Sequence, residues 1–353
     1  MKLKNLQFIY DSDSYSRLED FVINSVRDKY ERTQFFNKGY EDNLIIRFHK
    51  WKYFGNQASH VWLWLKSLNS AIEIWFKGNN RTEIICINPI IGIFLGMINK
   101  LNRNRRRIIV CGFLFEPKSN QVYYKLRKLF VNFSFGHVDK IVVYSSSEIL
   151  YYSEEFPYLK NKFTFILFGK DFLQYNTREM LKKNPLKGYI GSGGASNRDY
   201  DFLFRLINSF PSLKFKIATR PYIIGNKYIP INVEIDYAVT PTHFGRFIQE
   251  SKFFILPLSN SKVSSGHMVL LECMANGIPV LVSNVPGIKD YLEDEIVIKL
   301  DTENITNTEY VVNKMNLDVE NSEFRYKLEF QCKNVYQDKY TTKKFVERIL
   351  LHL

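Results

Sequence analysis

At 353 residues the chain is long enough to bury two cores of ordinary domain size. With 45% apolar and 24% charged residues it has the composition of a folded protein, which excludes a disordered chain. Its formal charge of +13 is uneven: residues 1–165 hold 25 Lys/Arg against 15 Asp/Glu, so the N-terminal half calls for an anionic partner, either nucleic acid or an anionic lipid surface.

The start, Met1–Lys2–Leu3–Lys4, has no apolar h-region or small-residue cleavage site, which predicts a cytosolic protein. Residues 6–10 read as a strand, 18–30 as a helix and 44–48 as a clearer strand. That strand runs into an aromatic loop holding Gly55 and then a helix over 61–68, an arrangement that lays a loop over a sheet edge. Trp51, Tyr53, Phe54, Trp62 and Trp64 read as core more readily than as a sugar platform. Residues 72–76 and 84–87 predict strands, 89–101 an apolar helix and 108–113 a buried strand. Asn88, Pro89 and Gly92 break the apolar run 84–101, so it is no membrane span.

Arg103, Arg105, Arg106 and Arg107 join that helix to the next strand, where an exposed loop is expected; it serves either an anion or plain solubility. Glu116 follows in a loop and reads as a general base or as a surface carboxylate. The helix over 122–135 is amphipathic and basic, with Lys125, Arg127 and Lys128 beside Leu126, Leu129 and Phe133. It suits a membrane surface or packing on its own sheet. Residues 138–145 form a strand ending in serine before a helix, and 163–167 lead into the turn Phe168–Gly169–Lys170–Asp171. The four cysteines, Cys86, Cys111, Cys273 and Cys332, are scattered without CxxC or histidine at metal spacing. They predict buried thiols and no structural zinc.

The polar segment 175–187, with Asn184–Pro185, marks a hinge, and a new sheet opens at 188–190. After it come Gly191–Ser192–Gly193–Gly194 and Arg198. Small residues there let backbone amides approach a phosphate and Arg198 neutralise it; a plain glycine turn is the other reading. Helix 201–210, strand 215–218, the loop Thr219–Arg220–Pro221 and a short helix over 244–251 precede the most informative stretch, 253–283. It reads as a strand to 258, a loop Ser264–Ser265–Gly266 whose serines can cap a helix, a helix over 268–275, Gly277 as a left-handed stop, and a strand to 283. Such a βαβ unit aims free N–H groups and a partial positive charge at the carboxyl edge of a parallel sheet, which makes a phosphate site. Glu272 stands alone in that apolar helix. It can accept hydrogen bonds from a ribose or lie on a solvated face. Helices over 324–336 and 342–351 close the chain.

Residues 253–283 resemble the donor-nucleotide signature of GT-B glycosyltransferases, in particular the large retaining group-1 family with two glutamates eight positions apart. The second glutamate matches Glu272, and Ala275–Asn276–Gly277–Ile278–Pro279–Val280 resembles that family's helix end and strand. The first glutamate's position is Ser264 here, so the chain is similar to a divergent branch. Arg198 fits one cation of the family's diphosphate loop; the arginine expected after the first glycine is absent, and Arg220 or Lys262 stands in for it.

The resemblance implies an α/β GT-B fold, two Rossmann-like domains with parallel sheets facing across a cleft. Residues 1–170 would form the acceptor side, 171–187 a linker, 188–335 the donor domain and 336–353 a C-terminal helix returning to the first domain. The implied activity moves a sugar from a nucleotide-diphosphate donor, expected to be UDP-linked, to a hydroxyl of a saccharide or polyprenyl-linked acceptor. Retention at the anomeric carbon and a role in bacterial surface-polysaccharide (capsule or exopolysaccharide) synthesis go with it. Donor-binding residues would be Gly193, Gly194, Arg198, Arg220, Ser265, Gly266, His267 and Glu272, with Glu116 and Arg198 catalytic. No cofactor is expected, and no metal, since the helix N-terminus and arginine would replace it. A peripheral contact with an anionic membrane at its inner face fits the basic half. The alternative is a catalytically silent polyanion- or nucleic-acid-binding protein on the same fold. The chain has neither an RNP-type aromatic motif nor a basic-zipper pattern, so no nucleic acid is expected.

Overall fold

The computed structural model describes residues 5–11, 15, 17–32, 45–51, 60–78, 82–102, 105–115, 120–172, 188–259, 261–292 and 296–352. The chain forms two compact units, Met1–Leu167 with Thr342–Leu353, and Phe168–Thr341.

The first unit is built on a parallel sheet of six strands in the order β2-β1-β3-β4-β5-β6. These are β1 (Asn5–Asp11), β2 (Ile45–Trp51), β3 (Thr82–Cys86), β4 (Arg107–Cys111), β5 (Lys140–Val143) and β6 (Phe163–Phe165). β1, β3 and β4 are buried on both faces, which is why they read as near-continuous apolar runs. Asn88 opens α3 (Pro89–Leu101): its Oδ1 accepts from the N–H groups of Ile90 and Ile91 at 3.0 and 3.2 Å. Gly92 and Gly96 let that helix sit close, since a Cβ at either would meet Val110 at 2.7 Å or the Ser134 carbonyl at 2.2 Å. The last helix, α12 (Thr342–Leu350), belongs to this unit and packs on α1 (Leu18–Arg32), with Phe345 stacked on Tyr15 at 6.2 Å.

Three expectations change here. Residues 72–76 lie inside α2 (His60–Lys77), not in a strand. Ser67, Ala71, Ile74 and Trp75 are buried at three- and four-residue spacing, and this helical period overrides the local alternation. Trp62 is not core but 61% exposed, and Trp64 is exposed as well; the side chain of Trp51, together with Tyr53 and Phe54, lies outside the described residues. The arginine cluster is not an exposed loop throughout. Arg106 is buried over the Trp75 ring at 4.1 Å and donates to the carbonyls of Trp75 and Gly78 at 2.6 and 3.1 Å. Its cation thus satisfies the carboxyl end of α2, while Arg107 enters β4 beside Glu83. Arg103 lies outside the described residues.

The second unit carries another all-parallel sheet, in the order β12-β11-β10-β7-β8-β9. Its strands are β7 (Tyr189–Gly193), β8 (Phe215–Ala218), β9 (Val233–Asp236), β10 (Ser251–Leu256), β11 (Val280–Ser283) and β12 (Val297–Leu300). The helices are α6 (Tyr200–Asn208), α7 (Pro221–Ile224), α8 (Pro241–Gln249), α9 (His267–Ala275), α10 (Ile305–Asp318) and α11 (Ser322–Lys339). The helix expected over 244–251 begins earlier, at Pro241 behind the Thr240 cap, and stops because Ser251 opens β10. α11 runs through the expected boundary at 335, so the unit ends at Thr341 instead. Of the expected linker 171–187, residues 173–187 lie outside the described residues.

From β7 the chain moves outward to β8 and β9, then returns to place β10 on the other side of β7 and continues to β11 and β12. The strand order therefore reverses between β7 and β10, and the loops leaving their carboxyl ends part there. In open α/β sheets this crevice is where ligands bind.

Candidate functional site

The loop leaving β7 is held open by glycine. Gly194 has φ +103, and its carbonyl accepts from the Tyr200 hydroxyl at 2.6 Å and the Thr219 hydroxyl at 2.9 Å. Gly193 lies against β8, where a Cβ would stand 2.7 Å from the Ala218 carbonyl. Arg198 folds back over the loop: Nε donates to the Gly193 carbonyl at 2.9 Å and Nη1 to the Ser196 carbonyl at 2.6 Å. Burial lowers its pKa to about 10, so it stays charged at neutral pH, and among the described residues no carboxylate pairs with it. A half-buried guanidinium bonded only to carbonyls is a site for an anion.

The loop leaving β10 is stitched to this one. Arg198 and Leu258 form a backbone bridge, the Ser259 N–H donates to the Asn197 carbonyl at 3.0 Å, and the Asp199 N–H donates to the Pro257 carbonyl at 3.1 Å. On the far side Gly287 closes against it, its N–H donating to the Ser261 carbonyl at 2.9 Å. The loop ends at Gly266, left-handed at φ +79, which is the N-cap residue of α9 and has no side chain to cap it; the helix begins at His267. The N-cap place expected of a serine is taken by Gly266. Ser265 is buried instead, and its Oγ has no partner among the described residues. The first N–H groups of a helix have no partner within it, so this start presents donors and the positive end of its dipole.

His267 lies beside the same charge. Burial, aided by Arg198, lowers its pKa to about 4, so the ring is neutral. It stacks on Tyr291 at 5.7 Å and meets Phe168 edge-on at 5.3 Å.

Deeper in α9, Val269, Leu270, Leu271, Cys273, Met274 and Ala275 are buried, and Glu272 alone breaks the apolar run. Burial raises its carboxyl to about 7, against the pull of Lys170, and the carboxyl group makes no hydrogen bond among the described residues. No sequence pattern singles out Lys170. Its backbone is fixed by its own N–H donating to the Tyr340 carbonyl at 3.0 Å and by the Tyr336 hydroxyl donating to the Lys170 carbonyl at 2.7 Å. The only signal it carried was its place in the turn after residues 163–167. Below, Gly277 at φ +64 ends α9 with the Ile278 N–H donating to the Cys273 carbonyl at 2.8 Å.

The structure thus brings Gly193, Gly194, Arg198 and His267 together, with Ser265 and Gly266 at the same helix start and Glu272 on that helix. Arg220 follows Thr219, whose hydroxyl holds the Gly194 carbonyl; its own carbonyl accepts from the Ile223 N–H at 3.0 Å, and its guanidinium makes no hydrogen bond or ion pair with the described residues. Lys262 is exposed in the loop before α9. Glu116 lies outside the described residues. Also among the described residues, no group of three or more His, Cys, Asp or Glu is arranged to hold a metal ion.

A scan against family models returns no match, and neither does a search of curated proteins. Solved structures do match over nearly the whole chain. A glycosyltransferase from Rickettsia africae aligns at TM-score 0.56 and 11% identity, covering 100% of this chain and 98% of its own. HepE from Anabaena, in complex with UDP-glucose, aligns at TM-score 0.60 and 10% identity over 99% of this chain and 100% of its own. The N-terminal domain of trehalose-6-phosphate phosphatase from Candida albicans aligns at TM-score 0.63 and 9% identity, covering 100% and 96%. With its two six-stranded parallel sheets and flanking helices, the chain has the fold of the GT-B glycosyltransferases.

Proposed function

We propose that the protein is a glycosyltransferase that takes a sugar from a nucleotide-diphosphate donor, UDP-linked, and transfers it to a hydroxyl of a saccharide or lipid-linked saccharide. The observation that carries this is the pairing of a helix start with a left-handed glycine at its N-cap, Gly266, and the Arg198 guanidinium, a cation with no described carboxylate partner. Both are donors aimed at anionic oxygen, at the point where the strand order reverses.

In the transfer, the bond from the anomeric carbon to the diphosphate oxygen breaks, and a bond to the acceptor oxygen forms. Negative charge gathers on the departing diphosphate, while the acceptor loses its proton to a base. Arg198 and the Ser265 and Gly266 N–H groups would stabilise that charge, a contribution of about 3 kcal/mol for one well-placed donor. Gly193 and Gly194 would admit the diphosphate close to the backbone, and Arg220 and Lys262 would add positive potential. Glu272 would accept from the ribose hydroxyls, and His267, neutral, would line the site without competing for the anion. Helix N-terminus and arginine together would do the work of a metal, so transfer would proceed without one. Glu116 is the proposed acceptor base, and retention at the anomeric carbon follows the resemblance. A role in bacterial surface-polysaccharide synthesis completes the reading.

The test is a screen of nucleotide sugars for slow hydrolysis, paired with thermal stabilisation by each nucleotide. Release of UDP from one UDP-sugar, with UDP raising the melting temperature, is the expected outcome. Failure of every nucleotide to stabilise the protein, together with salt-sensitive RNA binding, would replace the transferase by a silent polyanion-binding protein, the reading favoured by the +13 charge alone.

A further inference from the structure

Three neighbouring helices of the first unit break the usual rule that the outer face of a surface helix is polar. On α2 the outward stripe holds Trp62, Leu65, Ile72 and Phe76, the last 81% exposed. On α4 (Gln121–Phe135) it holds Val122, Leu126, Leu129 and Phe133, spaced at i, i+4, i+7 and i+11 and all exposed. Between them α3 ends on Leu101, which is 84% exposed. The stripes belong to one surface. Right-handed crossovers place these helices on the same face of the sheet. Trp64 of α2 meets Phe94 of α3 at 5.6 Å and Phe130 of α4 at 5.9 Å, while Lys100 of α3 caps the Phe133 ring of α4 at 3.6 Å.

The charges on these helices have one sign. Lys66, Lys77, Lys100, Lys125, Arg127 and Lys128 stand against a single carboxylate, Glu73, which pairs with Lys77. Beside α4, Glu155 on α5 (Ser146–Glu155) is taken by Lys128 at 3.0 Å and by the Tyr124 hydroxyl at 2.7 Å. A second copy of the chain docked two-fold on this face would bring cations against cations. A surface that is apolar within and anionic at its rim satisfies both properties.

We propose that the α2–α3–α4 face seats this protein on an anionic lipid surface, its Trp, Leu and Phe side chains entering the headgroup–acyl boundary and its lysines meeting lipid phosphates. No described helix is long and apolar enough to cross a membrane, so the contact is interfacial. It resides in the first unit and holds whether or not the second unit binds a nucleotide sugar.

The experiment is sedimentation of the full chain with vesicles of phosphatidylcholine alone or mixed with phosphatidylglycerol, at low and high salt, with tryptophan fluorescence as a second readout. Binding to the mixed vesicles at least about tenfold above phosphatidylcholine alone is expected, weakened by salt and accompanied by a blue shift. Leu126→Ser with Leu129→Ser, and separately Lys100→Glu with Lys125→Glu, should each reduce it. The loss should be about fivefold or more per cation reversed, with circular dichroism and UDP-induced stabilisation unchanged. These positions are exposed, so the variants should fold. No sedimentation with either vesicle, undiminished binding by both variants, or a wild-type dimer that the leucine substitutions dissociate would each overturn the proposal.

Discussion

The Nη2 nitrogen of Arg198 lies where a side chain on Gly194 would begin: a Cβ there would stand 2.5 Å from it. The glycine and the arginine are therefore one device. Gly194 holds φ +103, which L side chains rarely adopt, and so leaves the guanidinium its place over the loop. Gly194→Ala should destabilise the second unit by about 1–3 kcal/mol and displace Arg198. If so, UDP binding weakens in Gly194→Ala but not further when Gly194→Ala is added to Arg198→Ala. A full additional loss in the double variant, measured by titration calorimetry, would show the two positions to act separately.

Glu272 predicts a pH dependence with a definite sign. Burial raises its carboxyl from the ordinary 4.5 to about 7, so the folded protein favours the neutral form. Its contribution to stability is fully present below pH 4.5 and is lost as pH rises toward 7. Relative to Glu272→Gln, the wild type should lose about 2 kcal/mol across that window, a figure discounted for partial exposure. Affinity for a UDP-sugar should move the other way, rising with pH as the carboxylate forms, and the glutamine variant should be flat. Melting curves and binding constants at pH 5, 6, 7 and 8 check both; parallel curves for the two proteins contradict them.

His267 should not titrate in the working range. Its pKa lies at about 4, below the ordinary 6.5, through burial and the Arg198 charge, so any stability linked to its neutral ring is present above pH 6.5 and is lost only as pH falls toward 4. NMR of the ring nitrogens should show neutral imidazole from pH 8 down to about pH 5. A midpoint near the ordinary value would mean that the ring is more open, or Arg198 farther away, than the fold places them.

The legible parts of the chain were those that small residues and apolar runs punctuate. α3 between Asn88 and Leu101 and β8 over Phe215–Ala218 were read to the residue, and α9 to within one residue. There glycine, proline or asparagine marks an end, and burial supplies the period. The loop with Gly193, Gly194 and Arg198 was legible for the same reason. What failed was decided by distant partners. Residues 72–76 alternate locally like a strand, but Ala71, Ile74 and Trp75 are buried at helical spacing in α2, with Arg106, thirty-one residues on, lying over Trp75. Lys170 acts on Glu272 across about a hundred positions of sequence, and no local pattern announces it. The sequence does not announce β9, β12 or α10. β9 and α10 are partly exposed and carry few apolar residues, and β12, Val-Ile-Lys-Leu, is only four residues long.

The central claim is that the start of α9 and Arg198 grip a diphosphate. Titration of uridine, UMP and UDP into the wild type and into Arg198→Ala tests it most directly. The account predicts that UDP binds the wild type about a hundredfold more tightly than uridine, and that Arg198→Ala loses about tenfold or more for UDP while barely changing uridine. Equal binding of uridine and UDP, or wild-type affinity for UDP in the arginine variant, would contradict it.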